Sequence, residues 1–323
     1  MDTIYAATIG LNAVSALCAV LVVAVYLLIR FQRSEAIDRV SIRLQTGIAL
    51  VDFLKHIAVC FSLEGDESFA CTFIGFVLSL LFHIYLCLNI CVALNLHLVI
   101  IKSKMPCRKW EYCYWTVSLI IPLLLNLPLL ALDLYGGNSG DMCLVKHGPL
   151  FNDIMEVVYS SIVSLATIMY CILISTIVVI KANKQVLKPR LLASGEQYTL
   201  FSLRTLICRT CLYPIACFLS CIGANLAILH FFFIGPNHIL LKAWALCSFS
   251  TMGILNLAAF LADPLVFKSL PKIFKPPPKK MQHESSKFSP VTPTSDFSYN
   301  QLINSDDAAV TSQAVIRDFQ TYI

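Results

Sequence analysis

Residues 71–101 read CTFIGFVLSLLFHIYLCLNICVALNLHLVII, without one Asp, Glu, Lys or Arg. A helix needs roughly 20 mostly apolar residues to cross a hydrocarbon core about 30 Å thick, and this run exceeds that length. Backbone amides in lipid must find partners within the structure, so only helices or a closed barrel span it. The run lacks the two-residue alternation of a barrel strand, which leaves a helix. Six further apolar runs accompany it, at about 8–30, 41–62, 112–134, 151–181, 202–233 and 238–267. The turn signal Gly235-Pro236-Asn237 parts the last two. Hydrophobic residues make up 58% of the chain and charged ones 13%. Soluble domains hold about 45–50% and 25%. The expected fold is an all-α membrane protein, a seven-transmembrane helix bundle over residues 1–275 with a disordered tail over 276–323.

The connections give the orientation, because Lys and Arg are retained on the cytoplasmic side. Arg30, Arg33, Arg39 and Arg43 follow the first run; Lys102, Lys104, Arg108 and Lys109 the third; Lys181, Lys184, Lys188 and Arg190 the fifth. The alternate connections carry Glu64, Asp66 and Glu67, then Asp133, Asp141 and Lys146, and finally no Lys, Arg, Asp or Glu between the sixth and seventh runs. The start of the chain is therefore expected outside and the tail inside, as in a multi-pass plasma-membrane protein. No short cleavable leader is read ahead of the first run, whose length suits a retained anchor. The net charge of +5 follows from this one-sided distribution and does not mark nucleic-acid binding.

Most of the 14 cysteines lie in apolar runs. Cys71 and Cys143 fall on the outer side, where oxidation favours a disulfide between them. Cys107 and Cys113 fall near the inner face and are expected to stay reduced.

Several short stretches resemble G-protein-coupled receptors of the rhodopsin-like fold. Leu50-Val51-Asp52 is similar to their second-helix leucine–aspartate pattern, and Trp115 stands where their fourth helix has tryptophan. Cys211-Leu212-Tyr213-Pro214 resembles their sixth-helix Cys-Trp-x-Pro kink without the tryptophan, and Asp263-Pro264-Leu265-Val266-Phe267 resembles the Asn-Pro-x-x-Tyr end of the seventh. The phrase Arg39-Val40-Ser41-Ile42-Arg43-Leu44, with Tyr213-Pro214, is similar to fungal seven-helix receptors of the glucose-sensing and cyclic-AMP-receptor-like groups. The likeness spans about residues 8–275. One departure matters: counting from Cys71, the Asp-Arg-Tyr motif falls on Asn95-Leu96-His97, so the arginine that engages the G protein is missing.

Charges at mid-bilayer cost at least about 2.5–3.5 kcal/mol each, so ionisable residues inside the runs point to mechanism. Asp52, Lys55 and His56 share one helix face at spacings of three and four. Two readings stand: an Asp52–Lys55 pair that offsets both charges, or, as the resemblance implies, Asp52 facing Asp263 with a shared proton, a cation or Lys55 between them. Pro214 removes a helical hydrogen bond and is expected to kink the sixth helix. Two readings of the kink stand: a pivot expected to swing the half carrying Arg204 and Arg209, or a static bend that only aids packing.

For a ligand pocket the runs offer His56, His83, Glu156, Tyr159, Asn225, His230 and Trp244. Leu78 stands where amine receptors place a carboxylate, which argues against a monoamine. The resemblance implies an extracellular small-molecule ligand and a heterotrimeric G protein as partners, with no cofactor. Residues 268–275, KSLPKIFK, alternate cationic and apolar side chains and suit an amphipathic segment on anionic membrane lipid. In the tail, Ser289-Pro290 and Thr292-Pro293 are candidate phosphorylation sites for an arrestin-like or scaffold partner.

The rival reading is a seven-helix proton-coupled transporter or channel, with Asp52, Lys55, His56 and Asp263 as a relay. An opsin is set aside because Lys242 lies at the start of the seventh run instead of its middle. No metal-ligand spacing, phosphate loop or nucleophile motif suggests an enzyme.

Overall fold

The apolar runs fold as helices. The computed structural model describes residues 2–32, 40–62, 68–101, 108–137, 143–146, 150–187, 197–235, 239–263, 266, 267 and 270. In chain order these form α1 (Asp2–Gln32), α2 (Val40–Ser62), α3 (Phe69–Leu96) with a π-helical turn His97–Ile101, and α4 (Arg108–Ala131). The two-residue strands β1 (Tyr135–Gly136) and β2 (Leu144–Val145) follow, paired antiparallel. Then come α5 (Leu150–Glu156), a π-helical turn Val157–Ile162, α6 (Val163–Leu187), α7 (Gln197–Ile234), α8 (Ile239–Ser250) and α9 (Met252–Leu261).

Among the described residues seven stretches are long and apolar enough to cross a membrane: Ala6–Phe31, Val40–Ser62, Phe69–Val99, Arg108–Ala131, Leu150–Lys181, Leu212–Ile234 and Ile239–Leu261. They match the seven runs read from the sequence to within a few residues at most ends. The sixth helix is the longer α7, and the seventh ends sooner than the run that reaches 267. The chain is thus a seven-helix all-α bundle of the multi-pass membrane kind. Its surface supports that class, because large apolar side chains such as Leu17, Phe31, Leu124 and Phe233 point outward while Asp52, Lys55 and Asp263 are enclosed. A soluble bundle would reverse that distribution.

Besides the third, which ends in its π turn, two runs read as single helices are interrupted. The fifth passes through the π turn at Val157–Ile162, and the seventh breaks at Thr251 between α8 and α9. Hydroxyl groups account for the second break. Ser248 Oγ donates to Ala245 O at 3.0 Å, Ser250 Oγ to Leu246 O at 2.7 Å and Thr251 Oγ1 to Ser248 O at 2.9 Å. Such back-bonding competes with the backbone ladder and bends helices. Just past it, Gly253 lies against the Ser15 carbonyl of α1, where any Cβ would collide.

At one end Ser68 caps α3 by accepting from the Cys71 amide at 3.3 Å, which fixes where Cys71 enters the bundle. Cys71 is disulfide-bonded to Cys143, with Cα atoms 5.1 Å apart, as the sequence led us to expect. The bond holds the β1–β2 hairpin across α3. Cys143 N also donates to Ser62 O at 3.1 Å, and Thr72 Oγ1 donates to Tyr135 O at 3.2 Å. Gly75 admits the close approach: a Cβ there would stand 3.1 Å from Leu144 O.

Toward the other end Arg43 and Glu111 join α2 to α4 by two parallel bonds of 2.6 Å, Nε to Oε1 and a terminal guanidinium nitrogen to Oε2. Trp115 of α4 lies over Gly47 of α2, where a methyl group would overlap its ring. The glycine therefore sets how closely α2 and α4 pack. Beyond α9, Val266 and Leu270 pack on a cluster that includes Val22, Tyr26 and Ile29 of α1, and Phe267 is 68% exposed. Pro264, the remainder of the amphipathic segment, the tail and its Ser289 and Thr292 lie outside the described residues.

Candidate functional site

At the hairpin end the helices enclose a cavity of about 220 Å³. Leu78, Ser79 and Phe82 of α3 form one wall, Ala224, Asn225 and Ile228 of α7 another, and Ala245, Leu246 and Phe249 of α8 a third. Tyr135, Leu144 and Val145 of the hairpin roof it, so the disulfide that tethers the hairpin also fixes the roof. Val59 of α2 and Ala227 of α7, with Glu156 just before the π turn and Ser160 within it, complete the lining. Pockets for small molecules are mainly apolar with a few placed polar groups, and this one follows that pattern.

Most of those polar groups are bonded within the protein. Ser79 Oγ and Tyr135 Oη each donate to Asn126 Oδ1 at 2.7 Å. Burial pushes the Tyr135 phenol up to about 12, which keeps it a hydrogen-bond donor at neutral pH. Asn225 Nδ2 bonds Ser164 Oγ and Cys221 O, both at 2.9 Å.

Behind this wall His83 ties α3 to the fifth span. Its Nδ1 lies 2.7 Å from Ser79 O and its Nε2 2.8 Å from Tyr159 O, within the π turn. Asn126 Nδ2 approaches His83 Nδ1 at 3.3 Å and bonds Pro122 O at 2.7 Å. π turns recur at functional sites because they displace a carbonyl from the regular ladder. Here the displaced region presents Tyr159 O to a neighbouring helix.

A buried polar network adjoins the cavity through Phe249. Lys55 Nζ stands 4.2 Å from the Phe249 ring centroid, 2.8 Å from Asp52 Oδ1 and 2.8 Å from Met252 Sδ. His56 Nε2 lies 3.3 Å from Asp52 Oδ1, and its Nδ1 lies 2.6 Å from Asn12 Oδ1 of α1. Asn12 Nδ2 continues to Ser250 Oγ at 2.8 Å, and Ser15 Oγ donates to Ser250 O. Asn256 Nδ2 of α9 reaches Asp52 Oδ2 at 3.3 Å. One carboxylate, one ammonium and one imidazole thus join α1, α2 and the two halves of the seventh span.

Of the residues singled out in the sequence, Asp52, Lys55 and His56 come together, and the Asp52–Lys55 pair forms. Asp263 is fully buried two turns beyond Asn256, and the partner of Asp52 in α9 is Asn256. Glu156 lines the cavity, Tyr159 serves through its carbonyl, and His56 belongs to the network. Trp244 is 46% exposed and is not in the lining. Tyr213 and Pro214 are buried inside the unbroken α7, where Pro214 has no amide to donate to Thr210. Arg204 and Arg209 lie in the same helix, with side chains outside the described residues.

The Asn95-Leu96-His97 triplet ends α3. Asn95 is buried, Leu96 packs beside Ala93, Cys171 and Ile174, and His97 opens the π turn. Sequence reasoning missed Asn12, Asn126, Met252, Asn256 and Phe249. The three asparagines carried a signal, since each interrupts a long apolar run with a group that must be hydrogen-bonded.

Comparison of the chain with protein-family models and with curated proteins finds no match in either.

Proposed function

We propose that this chain is a receptor of the G-protein-coupled type, switched by a small, largely apolar molecule that enters the hairpin-roofed cavity. The observation that carries this reading is Phe249, which lines the cavity and also covers the Lys55 ammonium. A ligand pressing on Phe249 moves α8 against the Asp52–Lys55–Asn256 network. Because Asn256 belongs to α9, the displacement passes along the seventh span toward the end opposite the hairpin. Pro214 in α7 provides a second flexible point. The ligand is mainly apolar because Ser79, Tyr135 and Asn225 already spend their donors within the protein.

The transducer is a heterotrimeric G protein at the plasma membrane, and no catalytic chemistry is assigned to the chain. Coupling without an arginine at Leu96 makes this reading specific enough to fail. The test is nucleotide exchange on purified G proteins in membranes carrying the chain, with candidate apolar ligands, beside Leu96→Arg and the cavity-filling Ala224→Phe. Ligand-driven exchange that Ala224→Phe abolishes supports the receptor. Silence of both the natural chain and Leu96→Arg, together with proton-coupled solute uptake into vesicles, establishes the transporter reading in its place.

A further inference from the structure

A second cavity, of about 280 Å³, lies where the third, fourth and fifth spans meet, at the end away from the hairpin. Leu94, His97 and Leu98 line it from α3 and its π turn, Trp110 and Tyr114 from α4, and Tyr170 and Ile174 from α6. It shares no lining residue with the hairpin-roofed cavity, and only His97, the last residue of the Asn95-Leu96-His97 triplet, and Ile174, beside Leu96, have figured above.

Two polar atoms of this lining, the Tyr114 hydroxyl and His97 Nδ1, are buried yet have no hydrogen-bond partner among the described residues. Tyr114 itself is only 4% exposed. An unmet polar group enclosed in apolar surroundings is costly, so it marks a place where a ligand group belongs. The rest of the lining is apolar or aromatic, with the Trp110 and Tyr114 ring centroids 6.4 Å apart. Trp110 is 48% exposed and sits three residues into α4, the depth at which tryptophan marks the membrane–water interface. The half-exposed Trp110 thus puts part of the cavity lining at the outer surface of the bundle.

The lining also limits the ligand's charge. Among the described residues it holds neither Lys nor Arg to match an anion and neither Asp nor Glu to match a cation. A single hydroxyl suits the two unmet atoms, since it accepts from one and donates to the other. We propose that this cavity binds a neutral, membrane-dissolved alcohol, with its hydroxyl between Tyr114 and His97 and its apolar body against Trp110, Tyr170 and Leu98. This binding does not depend on the receptor reading. Under that reading it holds the end of α3 against α4 and α6, where a transducer would dock.

The test is photolabelling of the full chain, reconstituted in phospholipid vesicles, with a diazirine analogue of 1-octanol, followed by mapping of the labelled peptides. Saturable labelling is expected at residues 94–98, 110–114 and 170–174. Unlabelled 1-octanol should compete about fivefold more strongly than its methyl ether, the effect of roughly one hydrogen bond. Tyr114→Phe should weaken labelling by a similar factor, while Ala224→Phe in the other cavity leaves it unchanged. Label spread without saturation over the lipid-facing surface overturns the proposal, as does equal competition by alcohol and ether. The ether comparison uses the natural chain, so it decides the matter even if Tyr114→Phe folds poorly.

Discussion

Lys55 Nζ lies 2.8 Å from the Asp52 carboxylate, and neither side chain has any exposure. Removing one partner of a buried ion pair costs about 3–5 kcal/mol because the other charge is left stranded, whereas replacing both by apolar or neutral groups is often tolerated. We predict that Asp52→Asn and Lys55→Met each lower the melting temperature sharply in detergent. Asp52→Asn combined with Lys55→Met should recover most of the loss. Additive losses in the double variant would show that the pair is not a unit.

Phe249 touches both the hairpin-roofed cavity and the Lys55 ammonium, so under the receptor proposal size at this position should matter more to signalling than to folding. Phe249→Leu is predicted to keep more than half of the folded yield yet lower ligand-driven nucleotide exchange about tenfold or more, a displacement of roughly 1.4 kcal/mol in the switching equilibrium. Equal exchange by the variant and the natural chain at saturating ligand would remove Phe249 from the pathway.

The Cys71–Cys143 bond closes a separation of 72 residues and holds the hairpin that roofs the cavity. Its loss in Cys71→Ser is expected to destabilise the fold by about 2–4 kcal/mol. Ligand affinity should fall further than stability alone explains, since the roof loses its tether while Cys143 N can still bond Ser62 O. Thermal unfolding and a binding isotherm on the same preparation separate the two effects.

What could be read in the sequence and what could not divide along physical lines. Span lengths follow from bilayer thickness, so uncharged runs such as 71–101 located the helices well. The Asp52–Lys55 pair follows from i,i+3 spacing within one helix. Contacts between helices depend on rotation and depth, which hydropathy leaves open. Asn256 of α9, which hydropathy did not single out, therefore meets Asp52, and Trp244 is half-exposed outside the cavity lining. The break at Thr251 was legible only in hindsight, from three hydroxyl residues at 248, 250 and 251 close to Gly253. The π turns at His97–Ile101 and Val157–Ile162 carry no composition signal of their own.

Arg43 and Glu111 meet through two bonds of 2.6 Å, with side-chain exposures of 18% and 15%. Lysine offers one point charge where the guanidinium offers a fork, so Arg43→Lys should not be conservative. A double-mutant cycle of Arg43→Ala and Glu111→Ala is expected to return a coupling of about 1–3 kcal/mol. A coupling near zero would place the pair among surface contacts without measurable worth.

Gly47 is the point at which α2 and α4 pack against each other, because the Trp115 ring occupies the space a Cβ would need. Gly47→Ala must displace an indole wedged between two spans, and overpacking of this kind costs about 1–3 kcal/mol. The helix propensity of alanine offsets only about 1 kcal/mol of that. We therefore predict a lower melting temperature for Gly47→Ala, with the deficit largely reversed by Trp115→Phe in the same chain, since the smaller ring leaves room for the methyl. The Arg43–Glu111 bond lies one turn away on α2 and on α4, so displacement of Trp115 should also weaken the Arg43→Ala and Glu111→Ala coupling. Stabilisation by Gly47→Ala would mean that α2 and α4 pack less closely than the Trp115 contact implies.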